Sequence, residues 1–223
     1  KPDMNGHAIL PRCSMEAILS DSSTRLELVR LGCERDDRML FSGLSLTARA
    51  GEIWQITGAN GAGKTTLLRI LVGLHGFFEG ERRWRQPQWQ QDLLYLGHQP
   101  GVREELNPLE NLRYACALNH QAGDPMAALA AVGLRGFEDV PAAHLSAGQK
   151  RRVALARLWL QRKAVWVLDE PYTAIDQDGV AQLDAQMQQA AEAGSLVIYT
   201  SHHRVGDGVQ RLHLENGRAE VLS

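Results

Sequence analysis

Gly58-Ala59-Asn60-Gly61-Ala62-Gly63-Lys64-Thr65 fits the pattern G-x-x-x-x-G-K-[ST], and Thr66 with the apolar Leu67, Leu68, Ile70 and Leu71 follows it. Glycines at this spacing let backbone N–H groups turn inward around phosphate oxygens, and a helix starting at the lysine adds its own unpaired donors and dipole. Lys64 would then neutralise β- and γ-phosphate oxygens, and the Thr65 hydroxyl would serve a Mg²⁺ ion. Further along, Val165-Trp166-Val167-Leu168 is an apolar run that ends in Asp169-Glu170. At the C-terminal end of a parallel strand these carboxylates face the ligand crevice, where Asp169 can hold Mg²⁺ and Glu170 can polarise an attacking water. Between the two lies Leu145-Ser146-Ala147-Gly148-Gln149 at the head of an amphipathic helix through Arg152, Val153, Ala156, Trp159 and Leu160. Its Ser-Ala-Gly start leaves the helix end open to an anion; taken alone it reads first as an ordinary N-cap.

A parallel sheet must position these groups. Leu26, Leu28, Leu44 and Leu46 alternate with polar residues as half-buried strands do, and Gly51 marks a turn before a buried strand, Ile53 to Thr57. Strand, glycine loop and helix follow in that order. A mixed polar segment, Glu81 to Asp92, leads to a short strand, Leu93 to Leu96. Asn107-Pro108-Leu109-Glu110 and Asp124-Pro125 each carry a cap residue followed by proline, and Gly133 is placed to stop the second helix. Residues from about 100 to 162 therefore read as a helical lobe. Ala164 to Leu168, then Val180, Leu183, Met187 and Ala191 at helical spacing, Gly194, and Leu196 to Tyr199 restore the strand–helix alternation of a parallel sheet with crossover helices. The expectation is an α/β chain: a β-rich entry, a parallel core over about 25–99 and 163–223, and a helical subdomain at about 100–162. Lys1 to Thr24 has neither periodicity nor signal-peptide order and is read as an extension without assigned role.

Composition narrows the partners. With 24 Lys+Arg against 26 Asp+Glu, net −2, there is no global electrostatic footprint for nucleic acid or anionic lipid. The apolar stretches fall far short of the roughly 20 residues a bilayer span needs. Three widely spaced cysteines, Cys13, Cys33 and Cys116, disfavour a disulfide framework and a zinc site and point to a reducing compartment.

The glycine loop, Gln99, Leu145 to Gln149, Asp169-Glu170, Thr173 to Asp176 and Ser201-His202, in that order, resemble the motifs of ATP-binding-cassette (ABC) ATPases. The resemblance implies a P-loop NTPase fold of the ABC type, an ATP hydrolase with ATP and Mg²⁺ as its ligands. By it Gln99 senses Mg²⁺ and the attacking water, Ser146, Gly148 and Gln149 belong to the peptide that closes on a second chain's nucleotide, Asp176 communicates across that dimer, and His202 reaches the γ-phosphate. Gln99, beside Pro100-Gly101, also reads as a plain turn residue. His203 points away from the site if His202 points into it. Two positions depart from the family pattern. Ala147 stands where glycine is usual, and the stretch that usually supplies an adenine-stacking aromatic is Cys33-Glu34-Arg35-Asp36-Asp37-Arg38, with Arg35 as a stacking guanidinium.

Leu31 to Asp36, Gly97 to Gly101, Leu145 to Leu160 and Leu168 to Asp176 are closer still to the ATP-binding subunits of bacterial cytochrome c maturation complexes, over about 26–205. That likeness implies a peripheral subunit on the cytoplasmic face of the inner membrane, acting as a head-to-tail homodimer with polytopic membrane subunits in haem export or release of a haem-loaded chaperone. It places docking of the membrane subunit near Val102 to Leu118. Alternatives are an ATPase serving another cargo, a soluble cassette ATPase acting on DNA or ribosomes, and a non-hydrolysing nucleotide-binding module. The second lacks its usual inserts and a basic stripe here, and Glu170 with His202 speaks against the third.

Overall fold

The computed structural model describes residues 23–119, 123–160, 162–201 and 208–222. The described strands form one sheet. Long alternating segments make β1 (Thr24–Arg35) and β2 (Arg38–Arg49), an antiparallel hairpin whose inward leucines Leu26, Leu28, Leu31 and Leu44 are buried. Its two-residue turn, Asp36-Asp37, has positive φ at both positions (52° and 57°), which matches the right-handed strand twist. The glycine loop joins β3 (Ile53–Gly58) to α1 (Lys64–Leu71). β4 (Glu79–Trp84) and β5 (Leu93–Leu96) follow, then α2 (Pro108–Leu118), α3 (Pro125–Ala131), a 3₁₀ turn at Ala142–His144 and α4 (Ala147–Leu160). The chain continues through β6 (Val165–Leu168), α5 (Gln177–Glu192), β7 (Leu196–Thr200), β8 (Gln210–Glu215) and β9 (Gly217–Leu222).

Strand order is β4-β1-β2-β9-β8-β3-β7-β6-β5. From β8 to β5 every neighbour is parallel, so the C-terminal ends of β3, β6 and β7 rise together at one edge, where the carboxylates and the glycine loop emerge. Both faces of this half are covered. Val165, Val167 and Ile198 point into a core with α1 and the β1–β2 hairpin, while Trp166, Leu168, Val197 and Tyr199 point into one with α5 and the helical lobe. Burying each such side chain contributes about 1.5–3 kcal/mol, which keeps the loops at the strand ends on a rigid base.

The proline-headed helices are as read: Asn107 and Glu110 form a capping box on α2, and Asp124 caps α3. Glu81 to Trp84, read as the start of a mixed polar segment, belongs instead to the edge strand β4, which pairs with β1. Its sequence, Glu-Gly-Glu-Arg-Arg-Trp, carries no polar–apolar alternation, and Arg83, with Arg85 just past the strand, reaches Glu27 across the pair. Gln210–Leu222 is a hairpin whose first strand lies beside β3 in the middle of the sheet.

Candidate functional site

Helix α1 begins on Gly63, held in the left-handed region (φ 102°) with no side-chain cap, so its first N–H groups open onto the loop concavity. Lys64 is 8% exposed, and its Nζ donates to the carbonyl oxygens of Gly58 (2.8 Å) and Ala59 (3.3 Å). The cation thus lies folded over the loop that would receive phosphate. Ala62 N–H closes the turn on the Ala59 carbonyl (3.1 Å).

Asp169, at the end of β6, is 1% exposed. The hydrogen-bond partners of its carboxylate among the described residues are two hydroxyls: Thr65 Oγ1 donates to Oδ2 (3.0 Å) and Oδ1 (3.3 Å), and Thr200 Oγ1 donates to Oδ1 (2.8 Å). A buried carboxylate touching a P-loop hydroxyl is a hard oxygen donor pair, which suits a divalent cation that keeps water and phosphate ligands. The next residue, Glu170, has φ of 50°, and its N–H donates to Thr200 Oγ1 (2.7 Å). Thr200 therefore orients both carboxylate-bearing residues, a role that sequence reasoning missed and that only the β6–β7 pairing reveals.

One cleft of about 640 Å³ is lined by Asn60, Gly61, Gly63, Lys64, Thr65 and Thr66 together with His98, Glu170 and Thr173, and the buried Asp169 and Thr200 bear on it through Thr65 and Glu170. Arg35, Asp36, Arg38 and Leu40 of the β1–β2 hairpin complete the lining, which holds no Phe, Tyr or Trp among the described residues. Arg35 is drawn toward Asp36 (3.3 Å), while Arg38 Nη1 lies 3.9 Å from where a Cβ on Gly61 would stand. The volume suits a nucleotide. Gln99 is exposed and stands outside this lining, where its neighbour His98 takes part.

Ser146, Gly148 and Gln149 are also outside the cleft. They build a capping box on α4: Ser146 Oγ accepts from Gln149 N–H (3.2 Å), and Gln149 Oε1 accepts from Ser146 N–H (2.9 Å). Asp176 caps α5 by accepting from Gly179 N–H (2.9 Å) and pairs with Arg152 (2.7 Å). The Gly179 hydrogen bond, helped by the Arg152 charge, holds its carboxyl below the usual carboxylate range. His202 and His203 lie outside the described residues, as does almost all of the segment 1–24.

A second concavity, a groove of about 170 Å³, runs between α2, α4 and the 100–103 loop, with Val102, Leu112, Leu118 and Arg157 in its wall. Arg157 Nε is buried without a partner among the described residues, and burial lowers its pKa. Tyr114 and Leu118, at 41% and 63% exposure, leave apolar surface at the rim.

The sequence model of the ABC transporter family matches residues 41–173. The protein named cytochrome c biogenesis ATP-binding export protein CcmA of Alcanivorax borkumensis is 84% identical over 202 residues, covering 91% of this chain and 93% of its own. The protein of the same name from Escherichia coli strain K12 is 51% identical over 207 residues, 87% and 98% of the two chains. Among solved structures, an ATP-binding subunit of an ABC transporter superposes with TM-score 0.75 at 23% identity over 89% of this chain and 90% of that one. The ATP-binding cassette MJ0796, solved as a dimer in a post-hydrolysis state with ADP and Pi, gives 0.74 at 21% identity, covering 89% and 99%.

Proposed function

Since this chain belongs to the ABC transporter family, among the cytochrome c biogenesis ATP-binding export proteins, and so binds and hydrolyses ATP, we propose how its residues do so and what the hydrolysis drives. The observation that carries the reading is the meeting of the uncapped α1 start, the Thr65–Asp169 contact and Glu170 in one cleft. The triphosphate lies along Gly58 to Thr66, with the α1 N–H groups and Lys64 on its oxygens, and Lys64 exchanges its loop carbonyls for them. Thr65 and Asp169, with Gln99 from its loop, hold Mg²⁺, which when bound supplies charge neutralisation at the β- and γ-phosphates.

Glu170 stands at the γ-phosphate end and accepts the proton of the attacking water, while His202 steadies the γ-phosphate. The base lies against the hairpin, whose Arg35 and Arg38 line the same cleft, stacked on a guanidinium of one of them. Catalysis is then positioning and charge stabilisation on a fixed scaffold.

Ser146, Gly148 and Gln149, remote from their own chain's cleft, close on the nucleotide of a second copy docked head to tail, with Asp176 at the contact. That the cassette MJ0796 was solved as a dimer with ADP and Pi supports a two-chain reading. Among the described residues no helix is long and apolar enough to cross a membrane. The transport path belongs to polytopic membrane subunits of a cytochrome c maturation complex, a reading the relatives' names support, which seat a segment in the groove beside Arg157 and hold this subunit on the cytoplasmic face of the inner membrane. The names of the relatives, export proteins of cytochrome c biogenesis, support export within cytochrome c biogenesis, and we read haem as what is exported.

The test is Glu170→Gln. It keeps size and hydrogen bonding but cannot take a proton, so ATP binding stays near wild type while turnover falls by at least about 100-fold, the scale of a lost general base. Near wild-type hydrolysis by that variant would remove Glu170 from the role. Copurification of the tagged chain from membranes, followed by identification of what comes with it, tests the partner assignment; a chain recovered alone counts against it.

A further inference from the structure

Arg151, in the second turn of α4, is 5% exposed. Its Nη1 donates to the carbonyl oxygens of Gly97 (2.8 Å) and His98 (3.5 Å), and its Nη2 to those of Asp169 (2.6 Å) and Glu170 (3.0 Å). Burial lowers its pKa, opposed by the neighbouring Asp169 and Glu170 charges. A buried guanidinium is costly, and carbonyl dipoles repay less of that cost than a carboxylate at contact would. What the arrangement provides is geometry: a planar fork that fixes two loops against one helix. Those loops carry Gln99 and the two carboxylates, and the helix is the one that starts at the Ser146–Gln149 capping box.

Glu170 is the sensitive partner. Its φ of 50° lies in the left-handed region that favours glycine, and it is held there from both sides, its N–H on Thr200 and its carbonyl on Arg151. A shift of α4 reaches this backbone through the Arg151 side chain. We propose that Arg151 is a positioning residue that couples the anion-facing start of α4 to the aim of Glu170, so that closure of α4 on a second chain's nucleotide sets hydrolysis in the chain's own cleft. The proposal rests on the head-to-tail ATPase reading above and adds the physical link between its two half-sites. Misplacement of a reacting group by about 1 Å is enough to cost roughly 100-fold in rate without touching ground-state binding.

The experiment compares Arg151→Lys and Arg151→Met in the full chain, each alone and combined with Glu170→Gln, by equilibrium Mg-ATP binding and single-turnover hydrolysis. ATP affinity should stay within about twofold of wild type, because the hydrogen bonds of Arg151 go to the 97–98 and 169–170 backbone and not to the phosphate loop or α1. The hydrolysis rate should fall at least about tenfold in Arg151→Met and by less in Arg151→Lys, whose ammonium can still reach some of the four carbonyls. In the Glu170→Gln background the same changes should cost little more, since a residue acting through Glu170 has nothing left to aim.

Wild-type rates in both single variants, or equal losses in the two backgrounds, would overturn the proposal. Should Arg151→Met fail to fold, the lysine pair decides the outcome by the same comparison. Affinity and rate falling together by one factor would mark a merely structural role and also overturn it. A wild-type chain that binds ATP while the variants behave additively sinks only the Arg151 coupling; a wild-type chain that binds none sinks the nucleotide reading itself.

Discussion

Two glycines of the phosphate loop should fail in different ways when a methyl is added. Gly58 has φ of 140°, and a Cβ there would stand 2.3 Å from the carbonyl oxygen of Leu214, its register partner on β8. Ordinary contact begins at 3.4 Å, so the two strands must part by about 1.1 Å. Neither can give easily: Leu214 is fully buried, and Thr57 Oγ1 contacts His213 Nδ1 at 2.9 Å beside it. The conformational cost of a side chain at positive φ is about 1–2 kcal/mol. Overpacking adds about 1–3 kcal/mol, for a total near 2–5 kcal/mol. At roughly 2–4 °C per kcal/mol for a chain of this length, Gly58→Ala should lower Tm by about 4–20 °C. Gly61 has φ of 78°, but the nearest atom to its Cβ position is Arg38 Nη1 at 3.9 Å. There only the conformational term applies, about 1–2 kcal/mol or ~2–8 °C. The methyl would project into the cleft, so ATP binding, not the fold, should suffer. Thermal and urea unfolding without nucleotide, followed by ATP titration, separates the two. A Gly58→Ala chain as stable as wild type, or one less perturbed than Gly61→Ala, would refute the steric argument.

Two further outcomes follow from the site. Lys64→Ala removes a charged donor worth about 1.5–3 kcal/mol at a phosphate, so calorimetric ATP affinity should fall by roughly 10- to 150-fold; retained affinity would contradict the phosphate placement. Asp176→Ala removes the α5 cap and the Arg152 partner, and Asp176→Ser should restore part of the loss in thermal stability by keeping the cap. Because the folded-state carboxyl is held below its ordinary value, the stabilisation is present at pH above that ordinary value and disappears as pH falls through the folded one. The gap between wild type and Asp176→Ala should therefore close on acidification, and a gap unchanged at low pH would exclude the electrostatic part.

Much of the cleft was legible because its chemistry is local in sequence. Gly58 to Thr66 holds the loop, the cation and the hydroxyl within one turn of chain, and Asp169-Glu170 sits where a buried strand must end. The α2 and α3 starts were legible for the same reason, each a cap residue followed by proline. The polar edge strand β4 was not, since its cross-strand pairing with Glu27 leaves no apolar alternation to read. Nor was β8, whose place beside β3 depends on a pairing distant in sequence. Thr200 gave no signal either: an ordinary strand-end threonine becomes the shared partner of Asp169 and Glu170 only through the β6–β7 register.

Lys150-Arg151-Arg152 marks the boundary most clearly. In sequence these are three equivalent cations on a helix. About 100° of rotation per residue gives them three fates: Lys150 pairs with Glu104, Arg152 pairs with Asp176, and Arg151 turns inward onto the carbonyls of two loops. Sequence alone determined the nucleotide chemistry, because phosphate binding needs residue types at short fixed spacing. The tertiary structure alone decided which of three like charges is buried against the 97–98 and 169–170 loops and which motifs share a cleft, because that depends on helix phase and strand order, which no local pattern encodes.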